Sequence, residues 1–228
     1  MRTISNLFQN FSLASLADGL ILALVAVFSI CVHESCHGLM ALALGDDTAK
    51  RMGRISLNPL HHVDWYGLVM MVIFKFGWAK GVPVNSSRFK NPKLGMALTA
   101  LAGPVSNIIL SFFGVVGYFA TAYRGWESAD GILYYVNLLF FYLAILNTGL
   151  AVFNLIPVPP LDGSKILAIM LPERAYRWLM RYERYGMLVL MVLLLTGVLD
   201  GPLVTLRQGL LGLISILARP IAHLLAGI

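Results

Sequence analysis

The sequence predicts an all-α polytopic membrane protein of about five to six transmembrane helices, with a small β-hairpin or re-entrant segment between the first two core helices. Three observations carry that prediction. Of the 228 residues, 58% are hydrophobic and 12% charged, where soluble domains run at about 45–50% and 25%. With a mean hydropathy of +0.78, the chain holds more apolar surface than a soluble core of this size can hide. Several apolar runs reach the roughly 20 residues that a bilayer crossing needs, and the basic residues are distributed as membrane loops distribute them. This composition excludes a disordered chain, a disulfide-stapled secreted scaffold and a nucleic-acid-binding domain. The formal charge of +6 belongs to membrane topology instead.

In chain order, spans are expected at about residues 20–44, 94–123, 132–156 and 203–228. A shorter fifth is expected at 187–199, which Tyr185 and Gly186 extend. Residues 65–78 are apolar but short and contain Lys75, which suits an interfacial or re-entrant segment. If that segment does not cross, Lys50, Arg51, Arg54, Lys75, Lys80, Arg88, Lys90, Lys93, Lys165, Arg174, Arg177, Arg181 and Arg184 all fall on one side. The other side then has only Arg2 and Arg124. Positive loops stay inside, so five spans and an outside N-terminus are expected. No cleavable signal is evident, because the first apolar run is far longer than a signal core. Residues 54–58 and 81–85 alternate polar and apolar between Gly, Pro and Asn, the pattern of short strands on the inner surface. The whole is read as a single membrane-embedded domain over residues 1–228, with its core at about 20–175 and C-terminal helices at about 185–228. Cys31 and Cys36, five positions apart on one helix, point in different directions and cannot pair.

The chemistry sits in the first span, in His33-Glu34-Ser35-Cys36-His37. Residues four apart share one helix face about 6 Å apart along the axis. Both imidazoles can therefore ligate one zinc ion, with Glu34 beside it to handle a proton. The bland alternative is a pair of histidines and a glutamate satisfied by neighbouring helices. Three ionisable groups within about one turn in mid-membrane are costly unless they have a function. A zinc site needs a third protein ligand. The next intramembrane candidate is Asp162, in Asn154-Leu155-Ile156-Pro157-Val158-Pro159-Pro160-Leu161-Asp162-Gly163. Three prolines must break any helix there, and broken backbone at membrane depth survives only where it is buried in protein or lines a wet cavity. Taken alone, the segment also reads as a loop ending a span, with Asp162 as the N-cap of the next helix.

His33–His37, together with Asn154-x-x-Pro157-x-x-x-x-Asp162-Gly163, resembles the site-2 protease family of intramembrane zinc metalloproteases. Ala102-Gly103-Pro104-Val105-Ser106-Asn107 is similar to that family's third signature. The likeness covers roughly residues 20–175 and fits best the small bacterial and archaeal subgroup that lacks PDZ and CBS domains. It implies one Zn2+ per chain, held by His33, His37 and Asp162, with Glu34 as the catalytic base. Asn107 falls at the family's asparagine thought to hold substrate or the oxyanion. It also implies a multi-pass protein of a bacterial or archaeal cell membrane, with a transmembrane protein as substrate, the lipid bilayer as surroundings and no nucleic-acid partner. Two departures stand out: Ser35 and Cys36 occupy positions usually small and apolar, and Gly81 replaces a common proline.

On that reading Glu34 takes the proton of a water attacking a peptide carbonyl and passes it to the leaving amine, and Asn107 donates to the oxyanion. The expected strands between the first two spans would hold an unwound substrate by edge pairing. His61 and His62 are expected to be structural, with Asp64 orienting His62. Cys36 is expected to be an inert thiol, His223 a helix-interface residue, and Arg174–Arg184 a lipid-facing inner loop. The rival readings are a membrane zinc transporter, which also places His-Glu-x-x-His on a membrane helix, and a non-catalytic protease-like membrane protein.

Overall fold

The computed structural model describes residues 13–65, 67, 80–123 and 131–227. The helices among them are α1 (Leu13–Ala43), α2 (Thr48–Arg51), α3 (Pro92–Ala122), α4 (Ile132–Asn154), α5 (Asp162–Ala168), α6 (Glu173–Leu195) and α7 (Asp200–Ala226), with 3₁₀ turns at Pro59–His61 and Ser86–Arg88. Four are long and apolar enough to cross a bilayer: α1 over Leu16–Ala43, then α3, α4 and α7. The start of α3 is written locally. The Asn91 side chain accepts the Leu94 N–H and Pro92 opens the first turn, where its missing N–H costs nothing.

Helix α3 is the hub, packed on α1, α4, α5 and α7. A Cβ built on Gly114 would stand 2.4 Å from the Ala144 backbone nitrogen, so α3 and α4 touch backbone to backbone. Small residues permit that approach in a bilayer, where packing and interhelical hydrogen bonds drive association in place of the hydrophobic effect. Ser111 Oγ donates to the Ala144 carbonyl at 3.0 Å across the same contact. Beside it Val115, Val116, Ala144, Ile214 and Ala218 form a buried core that joins α7 to the pair.

The direction of α7 follows from its contacts with α3 and α4. Its C-terminal part lies at the outer end of α3, where His223 stacks on Tyr123 with ring centroids 4.2 Å apart and Arg219 lies over Phe119 at 5.0 Å. Its N-terminal part, at Leu203, Val204 and Arg207, lines a small cleft with Gly149, Val152 and Phe153 near the inner end of α4. Helix α7 thus runs parallel to α3. The apolar part of α6 is Tyr185–Leu195, about 16 Å at 1.5 Å per residue against a core of about 30 Å.

The inner loop also differs from expectation. No β-strand occurs among the described residues, and side chains take the place of a hairpin ladder. Ser35 Oγ and His62 Nε2 both donate to the Ser56 carbonyl, at 2.9 and 2.7 Å. Arg54 donates to the carbonyls of Lys80 and Gly81, at 2.6 and 3.1 Å. Ser35, a departure from the family pattern, therefore pins this segment to α1. Asp46, fully buried, accepts from the Thr48 N–H at 3.0 Å and the Asn85 N–H at 2.6 Å. Burial pushes its carboxyl up, but these hydrogen bonds and the Arg88 charge outweigh that and hold it below the ordinary carboxylate range. The expected re-entrant segment at 65–78 lies almost wholly outside the described residues. His62 and Lys80, on its two sides, are joined by a backbone hydrogen bond of 2.8 Å, so both flanks are on one side of the bundle.

Candidate metal centre

Helix α1 presents His33 and His37 on one face, toward α3, and both are buried. Their Nε2 atoms lie 3.0 Å apart, and Asp162 Oδ2 lies 3.2 Å from the first and 3.3 Å from the second. The three atoms form a nearly equilateral triangle. Zinc bonds of about 2.0–2.1 Å in tetrahedral geometry set donors about 3.3 Å apart, so the residues fit that ion without rearrangement.

The proton positions agree. His37 Nδ1–H donates to the Thr99 carbonyl at 2.7 Å, and His33 Nδ1–H donates to Asn107 Oδ1 at 2.5 Å. Both Nε2 atoms then carry lone pairs. Asp162 Oδ2 is buried with no hydrogen-bond partner. Three acceptors facing one another in a buried site repel unless a cation sits among them. His33, His37 and Asp162 are the one group of this kind among the described residues.

Two glycines allow the approach. A Cβ on Gly103 would lie 2.5 Å from Cε1 of both histidines, so any side chain there displaces both rings. Gly103→Ala is expected to lower zinc affinity at least about 10-fold, the lower end for lost ligand orientation, read by chelator competition. A Cβ on Gly163 would lie 2.2 Å from the Leu155 carbonyl oxygen. The proline segment after α4 therefore folds tightly back on the end of that helix and returns Asp162 to the level of the histidines. Asp162 opens α5 without capping it. The N-cap is Leu161, with no side-chain cap bond, so the capping alternative fails and the carboxylate is free to face the imidazoles.

Glu34 is half-buried beside the pair and accepts the Val82 N–H at 3.0 Å. Both line a cleft of about 580 Å³ that reaches His33, His37 and Asp162 and is walled by Met96, Phe153 and Leu190. Across the cleft Lys165 and Glu183 pair at 3.8 Å, linking α5 to α6. Asn107 is brought to the site but not into the cleft. It is 0% exposed, and its amide is used by His33 on one side and by Asn147 on the other, where Asn107 Nδ2 donates to Asn147 Oδ1 at 2.7 Å. Its geometry suits orienting His33 rather than donating to an oxyanion.

Sequence reasoning missed Thr99, Val82 and Asn147. The first two act through backbone atoms and leave no trace in composition. Asn147 was visible as a polar residue in the middle of an apolar span. The remaining candidates lie outside the ligand group. Cys36 is half-buried and outside the ligand group. His61 Nδ1–H donates to the Gly53 carbonyl at 2.8 Å, and Asp64 accepts the Gly67 N–H at 3.1 Å. His62 is held by the Ser56 carbonyl, and His223 is the interface residue on Tyr123. Arg174, Arg177 and Arg181 lie exposed on α6 with Trp178 and Tyr182, an arrangement suited to lipid headgroups.

The chain is similar to known proteins. The model of Peptidase family M50 matches residues 127–197, from before α4 to the turn after α6, and so includes the Asp162 segment. YwhC of Bacillus subtilis, whose name describes it as a candidate zinc metalloprotease, is 38% identical over 77% of this chain and 80% of its own length. Two proteins named in the same way are also similar. One, from Methanocaldococcus jannaschii, is 30% identical over 70% of this chain and 74% of its own. The other, from Mycolicibacterium smegmatis, is 28% identical over 76% and 66%. No solved structure matches significantly. A relative this similar over most of both chains, with His33, His37 and Asp162 grouped as residues that could hold a metal, places the protein in peptidase family M50, the site-2 protease family.

Proposed function

We propose that this chain is a single membrane-embedded domain, in a bacterial or archaeal cell membrane, that hydrolyses peptide bonds in or near transmembrane segments of other membrane proteins. The observation that carries this is the convergence of His33, His37 and Asp162, from two distant motifs, on a triangle of zinc-donor size, with Glu34 beside them in an open cleft. When bound, zinc supplies a Lewis acid that acidifies a water to a pKa of about 7 and polarises a peptide carbonyl.

The residues of the chain supply the rest. His33, His37 and Asp162 hold the ion, and the Thr99 carbonyl and Asn107 fix the imidazole tautomers. Glu34, steadied by the Val82 N–H, accepts the proton of the attacking water and returns it to the leaving amine. A substrate helix has its carbonyls bonded internally and must unwind before attack. Gly81, Val82 and Val84 line the same cleft and are suited to receive the unwound chain by edge pairing. Four helices make full crossings, and α6 rises only part of the way beside the cleft.

The test is reconstitution in proteoliposomes with single-pass reporter proteins. Zinc-loaded enzyme is expected to cut the reporters within or next to the membrane helix, 1,10-phenanthroline to stop it and added zinc to restore it. Reporters left intact by a protein that moves zinc into the vesicles would replace the protease reading with the transporter one.

A further inference from the structure

Behind His33 a line of buried polar groups crosses three helices. Asn107 on α3 and Asn147 on α4 are both 0% exposed. Asn147 Nδ2 donates to the Leu143 carbonyl and to Ser29 Oγ on α1, each at 2.8 Å. Which way each amide faces follows from the partners. The Leu143 carbonyl can only accept, so it demands the NH₂ end of Asn147. That turns Asn147 Oδ1 toward α3, where only the NH₂ end of Asn107 can answer it, at 2.7 Å. Asn107 Oδ1 is left for His33 Nδ1, which must carry the ring proton, and Nε2 keeps its lone pair for the metal position. The polarity of a helix carbonyl on α4 thus reaches the metal-facing atom of α1 through two amides. His37 receives the same instruction in one step, from the Thr99 carbonyl.

We propose that Asn147 is a positioning residue that, acting through Asn107, holds His33 in its Nδ1–H tautomer and thereby sets the zinc affinity of the site; this rests on the zinc-protease reading. Without the Asn147 acceptor, Asn107 is free to rotate and offer its NH₂ end to His33. The ring proton then moves to Nε2, where it faces His37 Nε2 at 3.0 Å and occupies the lone pair that ligation needs. The helices do not need Asn147 for cohesion alone. One position on, Thr148 Oγ1 and Ser111 Oγ form a hydrogen bond of 2.6 Å between the same two helices, both fully buried and without contact to a histidine.

That neighbouring pair supplies the control. Asn147→Leu and Thr148→Val each remove a buried α3–α4 hydrogen bond at nearly constant side-chain size. In the detergent-purified full chain, zinc affinity is read by competition with a chromophoric chelator and stability by thermal unfolding. Asn147→Leu is expected to weaken zinc about 10–100-fold, the usual effect of losing an outer partner of a ligating histidine. Thr148→Val is expected to lower the unfolding temperature and leave zinc affinity unchanged. Wild-type zinc affinity in Asn147→Leu, or an equal loss in Thr148→Val, overturns the proposal. Should the leucine variant not fold, the wild type still decides. The ¹⁵N spectrum of the zinc-free protein is expected to show a proton on His33 Nδ1, and its absence there overturns the proposal. Failure of the zinc-protease reading itself would look different, as a wild-type protein that binds no zinc at all.

Discussion

Glu34→Gln is expected to lower peptide cleavage by about 10²–10⁴-fold, the range for loss of a general base, while the protein still carries one zinc per chain. Glutamine keeps the size of the side chain, and its carbonyl can still accept the Val82 N–H that Glu34 accepts at 3.0 Å, so the cleft wall stays in place. The amide cannot take a proton from water at neutral pH, so only the chemistry is lost. Cleavage of a membrane-helix reporter in proteoliposomes, with metal analysis of the same preparation, separates the outcomes. Wild-type cleavage would move the base elsewhere. Loss of the zinc would make Glu34 a ligand. A zinc-transport reading predicts no defect in cleavage, since it predicts no cleavage.

Asp162→Ala is expected to weaken zinc binding by more than the roughly 10–100-fold that loss of an outer partner costs, because it removes a ligand atom and the only carboxylate of the three. The two Nε2 atoms would remain 3.0 Å apart, with one edge of the triangle and nothing to balance the ion's charge. Asp162→Asn is expected to behave nearly as badly despite its matching shape, which distinguishes loss of charge from loss of packing. Chelator competition reads both. Wild-type affinity in the alanine variant would mean that the two motifs do not form one centre, whatever their proximity.

Much of this site was legible in the sequence because its chemistry is local and its cost is high. Helical spacing alone places His33 and His37 on one face, and a membrane makes ionisable residues there expensive without a function. Asp162 needed more than local reasoning. Spacing could not distinguish a helix cap from a carboxylate turned toward the histidines, and the placement of Asp162 depends on how Gly163 lets the chain pack against Leu155. Asn107 shows the opposite limit. Its position was identified by the family likeness, but its amide is held by Asn147, forty residues on, which no linear pattern couples to it. The direction of α7 was not legible for a related reason. Hydropathy finds apolar length but not direction, and the direction of α7 is set by its contacts with Tyr123 and with Val152 and Phe153. The inner loop alternates as strands do, yet its segments are held by Ser35, Arg54 and His62 side chains, a solution that alternation does not encode.

The central claim is that one zinc ion is held by His33, His37 and Asp162 together, and zinc K-edge X-ray absorption on the loaded, detergent-purified protein tests it most directly. The account predicts a shell of nitrogen and oxygen alone at about 2.0–2.2 Å, with the outer-shell signature of two imidazoles. A zinc–sulfur distance of about 2.3 Å would bring Cys36 into the site and contradict the ligand set. A single imidazole, or no stoichiometric zinc, would contradict the centre itself.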